Sequence, residues 1–136
     1  MYTTLIVSTY KKEELVEITD LVKKVVSEAD IKNGICIVYA PHTTCGLIIN
    51  ENADPAVRKD IIIGLNKFLP HDALRDFMHA EGNSPAHIKS SLVGQYQVLL
   101  IENGEIVLGT WQGIFLAEFD GPRERKVLIK IVKEVL

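Results

Sequence analysis

The sequence predicts an α+β fold, a single-domain mixed sandwich of mainly antiparallel strands with helices packed on it. Two observations support this prediction. Helical and strand-like patterns are mixed before Tyr96, whereas only strand patterns follow it, two of them joined by the hairpin dipeptide Asn103-Gly104. A chain of 136 residues, 47% of them hydrophobic, is also long enough to bury a core without disulfides. We therefore expect one domain, 1–136, rather than a regular βαβ repeat.

The first part of the chain is predicted to alternate between strands and helices. Mixed apolar and β-branched residues predict a strand over 3–8, and apolar residues at helical spacing predict a helix over 20–28 with Thr19 as its N-cap. The lysines and glutamates of 11–14 are expected to be solvated. Residues 35–39 form a continuous apolar run instead of an alternating one, which predicts a strand covered on both faces.

Further elements follow the same reasoning. Residues 47–49 predict a second buried strand, and Asp54 before Pro55 predicts the N-cap and first residue of the longest helix, whose apolar stripe ends at Phe68. A short helix is predicted over 71–78. After it, the patterns predict a helix from Pro85 to about Gly94 and strands over 97–102, 105–108, 112–119 and 126–135.

Composition excludes several classes of partner. The formal net charge of -3 gives no electrostatic basis for binding nucleic acid. Apolar runs fall far short of the ~20 residues that a membrane span needs, and the N-terminus lacks a signal-peptide layout. We therefore expect no membrane partner and, by default, a cytoplasmic location. Cys36 and Cys45 lack the spacing of a disulfide framework or a zinc ribbon, so both are expected to be reduced thiols, with Cys36 in the packing.

Three histidines are candidates for a metal site. His42, His79 and His87 would give the three neutral imidazoles that a catalytic zinc site uses, with a fourth position open. No local motif fixes their spacing. The alternative is that at least one of them is a surface or hydrogen-bonded histidine.

Charged residues elsewhere are candidates to hold a phosphorylated substrate. Glu51 and Asp54 are suited to a hard cation such as Mg²⁺, although Asp54 also suits helix capping. The turn over 120–125 ends in guanidinium groups, among them Arg123, that bind phosphate or carboxylate bidentately. The alternative for this turn is a solvated loop with surface ion pairs.

Uncharged residues complete the candidate site. Thr43 and Thr44 have the hydroxyls and backbone N–H groups of an anion-binding loop, or satisfy only their own backbone. Cys45 near His42 is weak support for a nucleophilic dyad. Trp111 is flanked by glycines and lines a ligand pocket or fills a core, the core being favoured for its ring.

Five motifs occur in one order over nearly the whole chain. They are Pro41-His42-Thr43-Thr44, Asn50-Glu51 with Asp54-Pro55, His79 through Gly82-Asn83 to His87, Gly109-Thr110-Trp111-Gln112-Gly113, and Asp120-Gly121-Pro122-Arg123. In this combination the chain resembles the YjbQ family, also called the secondary thiamine-phosphate synthase family.

The resemblance implies a compact α+β fold that assembles as a homotrimer, with a site near subunit boundaries. It also implies a weak or secondary transferase activity that joins hydroxymethylpyrimidine diphosphate to a thiazole phosphate and releases pyrophosphate. The matching positions are His42, Thr43, Glu51, Asp54, His79, Asn83, His87 and Arg123.

Residue chemistry and resemblance together predict the following site. Catalytic roles are expected for His42, Thr43, Glu51, Asp54 and Arg123, substrate binding for Thr44, Asn83 and Trp111, and metal binding for His42, His79 and His87. The cofactor is expected to be a divalent metal ion, Zn or Mg. Two alternatives remain open: a metal-assisted hydrolase of an anionic small molecule, and a non-catalytic trimeric module that binds a ligand.

Overall fold

The chain folds into three helices and two sheets in the computed structural model, which describes residues 1–73 and 77–135. In chain order the elements are β1 (Thr3–Ser8), β2 (Glu14–Glu17), α1 (Thr19–Ala29), β3 (Gly34–Tyr39), β4 (Cys45–Glu51), α2 (Pro55–Phe68), α3 (Ser84–Val93), β5 (Tyr96–Glu102), β6 (Glu105–Ile106), β7 (Gln112–Glu118) and β8 (Glu124–Lys133). One sheet has the order β1-β8-β3-β5-β6 and the other the order β2-β7-β4. All strand pairs among the described residues are antiparallel, so the predicted α+β sandwich is confirmed.

Two apolar cores lie on the two sides of the three-stranded sheet. The larger core fills the space between this sheet, the five-stranded sheet and α1, and it contains Cys36, Leu47 and Ile129, all almost fully buried. The smaller core surrounds Phe115 and Ala117 and is closed by α2 and α3. The three-stranded sheet is therefore the middle layer of the molecule, and Cys36 packs in the core as predicted.

The five-stranded sheet has a second face that no helix or sheet of the described residues covers. Its outward residues on β5, β3 and β8 are mostly apolar, and we define the outer face by them: Ile35, Ile37, Tyr39, Tyr96, Val98, Leu100, Leu128 and Val132. The register places Tyr39 opposite Tyr96 and Ile37 opposite Val98, so the apolar residues form one continuous patch.

The predicted burial of the 35–39 strand on both faces is wrong for the single chain. Cys36 and Val38 lie in the core, but Tyr39 is 44% exposed on the outer face. The reason is that β3 lies in an antiparallel sheet, which can leave one face open, whereas the continuous apolar run suggested the two-sided cover of a parallel sheet.

The segment before α1 also differs from the prediction. Glu14 begins β2, and the side chain of Glu13 is only 7% exposed, so 11–14 is not solvated throughout. Glu13 accepts hydrogen bonds from Nζ of the fully buried Lys89 and from Nδ2 of Asn66, each at 2.6 Å. Lys89 lies 76 residues away along the chain, and a local sequence pattern cannot reveal such a partner.

The helix ends follow the prediction in one of two cases. Asp54 caps α2 as predicted, because its Oδ1 accepts a hydrogen bond of 2.9 Å from the N–H of Ala56. The predicted N-cap role of Thr19 is wrong, since Ile18 is the N-cap and Thr19 is the first helical residue. The hydroxyl of Thr19 instead accepts from the N–H of Ile114, which joins α1 to β7.

Two of the later predicted elements change. The strand predicted over 105–108 ends at Ile106. In the segment predicted as a helix over 71–78, residues 71–72 form a turn and 77–78 have no regular structure, while 74–76 lie outside the described residues. None of the helices in the described part of the chain has the length and apolar character needed to cross a membrane.

Candidate functional site

His42 lies in the loop between β3 and β4, where backbone contacts fix its side chain. Its Nε2 accepts a hydrogen bond of 2.8 Å from the N–H of Lys126 at the start of β8. An imidazole nitrogen that accepts a hydrogen bond carries no proton, so the neutral ring has its proton on Nδ1. Burial, followed by the positive charge of Arg125, lowers the pKa of His42 below its ordinary value of 6.5. His42 is therefore a neutral hydrogen-bond donor through Nδ1 near pH 7.

A buried ion pair supports the loop from below. Arg125 donates to both carboxylate oxygens of Glu118, with the Nε–Oε1 distance at 2.9 Å, and both side chains are at most 2% exposed. Its Nη2 also donates to the hydroxyl oxygen of Thr44 at 2.8 Å, and the hydroxyl of Thr9 donates to Glu118 at 2.7 Å. The guanidinium of Arg125 and the hydroxyl of Thr44 thus hold the loop to the sheet. The substrate-binding role expected for Thr44 stays a prediction.

A cavity of about 380 Å³ opens beside His42. It is lined by Tyr39, His42, Thr43, His87, Ser91 and Gln95. These side chains provide hydroxyl, amide and imidazole groups, which suits a polar ligand. The structure therefore brings two of the predicted histidines together with Thr43.

A second cavity, of about 360 Å³, shares His87 with the first. Its lining consists of Phe77, Met78, His79, Ser84, His87 and Ile88. The rings of His79 and His87 meet edge to face with their centroids 5.1 Å apart. All three predicted histidines therefore lie at these two cavities: His42 at the first, His79 at the second and His87 at both.

Asp120 organises the remaining predicted residues on this side of the molecule. It accepts hydrogen bonds from Nη2 of Arg123 at 2.9 Å, from Nδ2 of Asn83 at 2.9 Å and from Nζ of Lys12 at 2.6 Å. Three donors on one carboxylate fix Arg123 and Asn83 relative to each other. The sequence motif contains Asp120, but its role as the shared acceptor depends on residues that lie far apart along the chain.

The acidic candidates lie elsewhere. Glu51 is at the far end of β4 from the His42 loop, and seven residues of extended strand separate the two by about 20 Å. Asp54 follows it as the cap of α2, and the backbone carbonyl of Trp111 accepts from the N–H of Asn52 beside them. Within one chain, therefore, the predicted site is divided into a histidine part and an acidic part.

The ring of Trp111 does not lie in the core. It is 63% exposed, so the interpretation that favoured a core position is wrong. Trp111 precedes β7, outside the strand whose inner residues fill both cores. A large aromatic ring left exposed beside Glu51 is typical of a surface that contacts a ligand or another chain.

Within residues 1–73 and 77–135, the three predicted histidines do not form a ready three-ligand metal site. The described residues contain no group of three His, Cys, Asp or Glu side chains suited to hold a metal ion. Nε2 of His42 is already engaged by Lys126, and only His79 and His87 are direct neighbours. The divalent metal remains a prediction.

Cys45 is unsuited to nucleophilic chemistry. It is completely buried at the start of β4, and this burial raises the pKa of its thiol to about 11. A thiol of that pKa is almost entirely protonated near neutral pH. The weak expectation of a Cys45–His42 dyad is therefore not supported.

Sequence reasoning missed several residues of the site. Tyr39, Ser91 and Gln95 line the His42 cavity but belong to none of the five sequence motifs. Glu118 reads as an ordinary strand residue in the sequence, and only its complete burial identifies it as the partner of Arg125. A charged residue within an otherwise apolar strand was the one signal available for it.

The arrangement suits the binding of an anion. His42 has an Nδ1–H donor. The positive charges of Arg125 and Arg123 lower its pKa, and the charge of Glu118, the partner of Arg125, acts in the opposite direction. Arg123 is half exposed and retains N–H donors beyond those used on Asp120. His87, in contact with both cavities, is placed to exchange protons with a bound molecule.

The chain is similar in sequence to several proteins of one family. The family model described as UPF0047 protein YjbQ-like matches residues 3–134. A UPF0047 protein of Methanocaldococcus jannaschii is 54% identical over 126 residues, which make up 93% of this chain and 90% of that protein. The UPF0047 protein YugU of Bacillus subtilis is 46% identical over 97% of this chain and 99% of its own length.

Solved structures agree with the sequence comparison. A YjbQ/UPF0047 family protein from Clostridium acetobutylicum is 50% identical and superposes with a TM-score of 0.92, covering 96% of this chain and 99% of its own. A YbjQ-like protein of unknown function from Sulfolobus solfataricus is 36% identical, with a TM-score of 0.91 and coverages of 98% and 97%. The family resemblance inferred from the five motifs is confirmed. This chain belongs to the UPF0047 (YjbQ-like) family.

Proposed function

We propose that the His42 cavity binds a phosphorylated small molecule and that the protein is an enzyme with thiamine-phosphate synthase-like transferase activity. In that reaction hydroxymethylpyrimidine diphosphate is joined to a thiazole phosphate and pyrophosphate is released. The observation that carries the proposal is the neutral His42, an Nδ1–H donor at the edge of a polar cavity with the guanidinium groups of Arg125 and Arg123 nearby.

Each residue has a role in this proposal that follows from its position. Nδ1–H of His42 donates to a phosphoryl oxygen, and the hydroxyl of Thr43 adds a second donor. The free N–H groups of Arg123 stabilise the negative charge that collects on the departing pyrophosphate. His87 acts as the general acid or base, because it lines both cavities and so lies beside a bound molecule.

The test is the release of pyrophosphate from hydroxymethylpyrimidine diphosphate in the presence of thiazole phosphate. We expect turnover by the native protein and a loss of about 100-fold in kcat/KM for His42→Ala. His71→Ala is the matched control, because His71 is half exposed and lines a different cavity. Unchanged turnover by His42→Ala would reject the assignment of the site, and ligand binding without any turnover would favour the non-catalytic module.

A metal-assisted hydrolase is a second candidate, favoured by the neighbouring imidazoles of His79 and His87. Mass spectrometry on protein purified without added metal measures bound zinc or magnesium directly. The hydrolase requires near-stoichiometric metal that is lost in His79→Ala and His87→Ala, together with release of phosphate from an unactivated ester. Metal-free protein that takes up none on dialysis would remove this candidate.

The protein is also proposed to assemble as a homotrimer through the outer face. A continuous apolar patch of this kind on a soluble chain is typical of a protein interface. Tyr39 belongs both to the outer face and to the His42 cavity, so an interface there would place the cavity at a subunit boundary. Assembly would also allow the acidic part of one copy to approach the histidine part of another, although the two are about 20 Å apart within a chain.

A further inference from the structure

We propose that the two cavities that meet at His87 form one bipartite site, whose substrate carries an aromatic or apolar body next to its phosphate group. This inference rests on the phosphate binding proposed for the His42 cavity. We name the first cavity, lined by Tyr39, His42, Thr43, His87, Ser91 and Gln95, the polar chamber. The second, lined by Phe77, Met78, His79, Ser84, His87 and Ile88, is the apolar chamber.

The two chambers differ in chemistry. In the polar chamber every lining side chain has a hydrogen-bonding group, and the positive charge of Arg125 acts on His42 at its edge. The apolar chamber instead has Phe77, Met78 and Ile88 among its walls. A ligand whose two ends differ in the same way would place its anion in the first chamber and its hydrocarbon in the second.

The apolar chamber is open to solvent and large enough for a ring. Met78 is 99% exposed and Ile88 36% exposed, so water covers apolar side chains that a ligand would shield. A cavity of about 150 Å³ holds benzene in another protein, and this chamber measures about 360 Å³. The imidazole rings of His79 and His87, set edge to face, add a wall suited to an aromatic ring.

His87 connects the two chambers. This connection favours one ligand that spans both chambers over two separate ligands in unrelated sites. His87 lines both cavities, so a molecule that spans them must pass beside it. The bond between the phosphate group and the apolar body would then lie next to a group able to exchange protons.

The experiment compares methyl phosphate with benzyl phosphate by isothermal titration calorimetry on the full chain. The two probes share the phosphate and differ in the apolar body. We expect benzyl phosphate to bind about tenfold more tightly, since covering a ring in a half-open apolar pocket contributes on this order. Ile88→Ser and Met78→Ser should each reduce that preference while the affinity for methyl phosphate is unchanged, and His42→Ala should weaken both probes.

The control and the contrary outcomes separate this inference from the proposed function. Ile63→Ser removes an exposed apolar side chain of α2 outside both chambers, and it should leave both affinities as in the native protein. Equal affinities for the two probes, both dependent on His42, would overturn the bipartite site and leave the phosphate site standing. Failure of both probes to bind would overturn the phosphate site and the bipartite site together.

Discussion

Arg125 and Glu118 are the charges on which the His42 loop depends. Both are buried, and Arg125 also donates to the hydroxyl and carbonyl oxygens of Thr44. Removal of one partner from a buried pair leaves the other charge without compensation in a medium of low polarity. The pair therefore links the stability of the fold to the geometry of the site.

Arg125→Met is expected to lower the free energy of unfolding by about 3–5 kcal/mol, because Glu118 then lacks its counter-ion. Urea unfolding followed by circular dichroism measures the change. Lys24→Met is the matched control, since Lys24 pairs with Glu28 at 4.0 Å on the surface and both side chains are mostly exposed. That control should shift stability by no more than about 0.5 kcal/mol. An equally small effect at both positions would show that the buried pair does not support the loop.

Asp120 leads to a prediction about pH. Burial alone would raise the pKa of its carboxyl group, but hydrogen bonds from Asn83 and Lys12, with the charges of Lys12 and Arg123, place the pKa below the ordinary value of 3.8. A carboxyl group whose pKa is lower in the folded chain than in the unfolded chain contributes its full stabilisation at pH values above its pKa in the unfolded chain. This contribution is lost as the pH falls through the folded pKa.

Asp120→Asn is therefore expected to be less stable than the native protein at pH 7, and the difference should shrink once the pH falls below about 4. Urea unfolding at a series of pH values measures it. Asp60→Asn, an exposed change on α2, serves as the control with little effect at any pH. A stability difference between Asp120→Asn and the native protein that stays constant from pH 7 to pH 3 would contradict the proposed ion pairing.

Single residues differ in how far the sequence reveals their role. His42, Arg123 and Asn83 all lie in sequence motifs. In the structure His42 lines a cavity, and Arg123 and Asn83 both donate hydrogen bonds to Asp120. Lys89 has no such signal, because a buried lysine depends on a carboxylate supplied by another element. Charge type and spacing indicate chemistry, but partners distant in sequence decide which charges face a ligand.

Strand β4 contains a glycine whose neighbours leave no space for a side chain. A Cβ on Gly46 would lie 2.6 Å from the backbone oxygen of Gly94 and 2.8 Å from Cγ1 of Val93, where α3 crosses the strand. In contrast, Gly64 within α2 has no atom near its missing Cβ. These two glycines have opposite roles although both look alike in the sequence.

Gly46→Ala is expected to destabilise the chain by about 2 kcal/mol, because a backbone contact cannot move without displacing α3 from β4. Gly64→Ala is the control in the opposite direction and should stabilise the chain by about 0.5–1 kcal/mol, since alanine favours the middle of a helix. Thermal and urea unfolding measure both changes. A gain in stability for Gly46→Ala would mean that α3 does not pack on β4 as described.

The regular elements were largely predictable, because periodicity and capping act within short segments. The cap of α2 at Asp54 and the strand over 3–8 are examples. β2 was not predicted, since its four residues begin within a charged segment and become a strand only through pairing with β7. Which strands share a sheet, and hence the distance between His42 and Glu51, depends on long-range packing that local patterns do not contain.

The outer face connects the shape of the chain to its proposed assembly. The continuous apolar run over 35–39 predicted cover on both faces, and within one chain only the inner face is covered. In a trimer, the other two copies would cover the outer face of this strand, as the apolar run predicted. The predicted burial of residues 35–39 on both faces is therefore compatible with the exposed face of β3 in the single chain if the outer face is an interface.

Val98→Lys and Leu100→Glu are each expected to convert the proposed trimer to a monomer, because a charge placed in the middle of the outer face must lose its water when copies associate. Light scattering after size exclusion should give the mass of three chains of 15.2 kDa for the native protein and of one chain for the variants. Ile63→Lys, an equally exposed apolar residue on α2, should leave the trimer intact. Circular dichroism checks that the variants remain folded, which is expected because both side chains point away from the core. A native protein with the mass of one chain, or folded variants that keep the mass of three, would contradict assembly through this face.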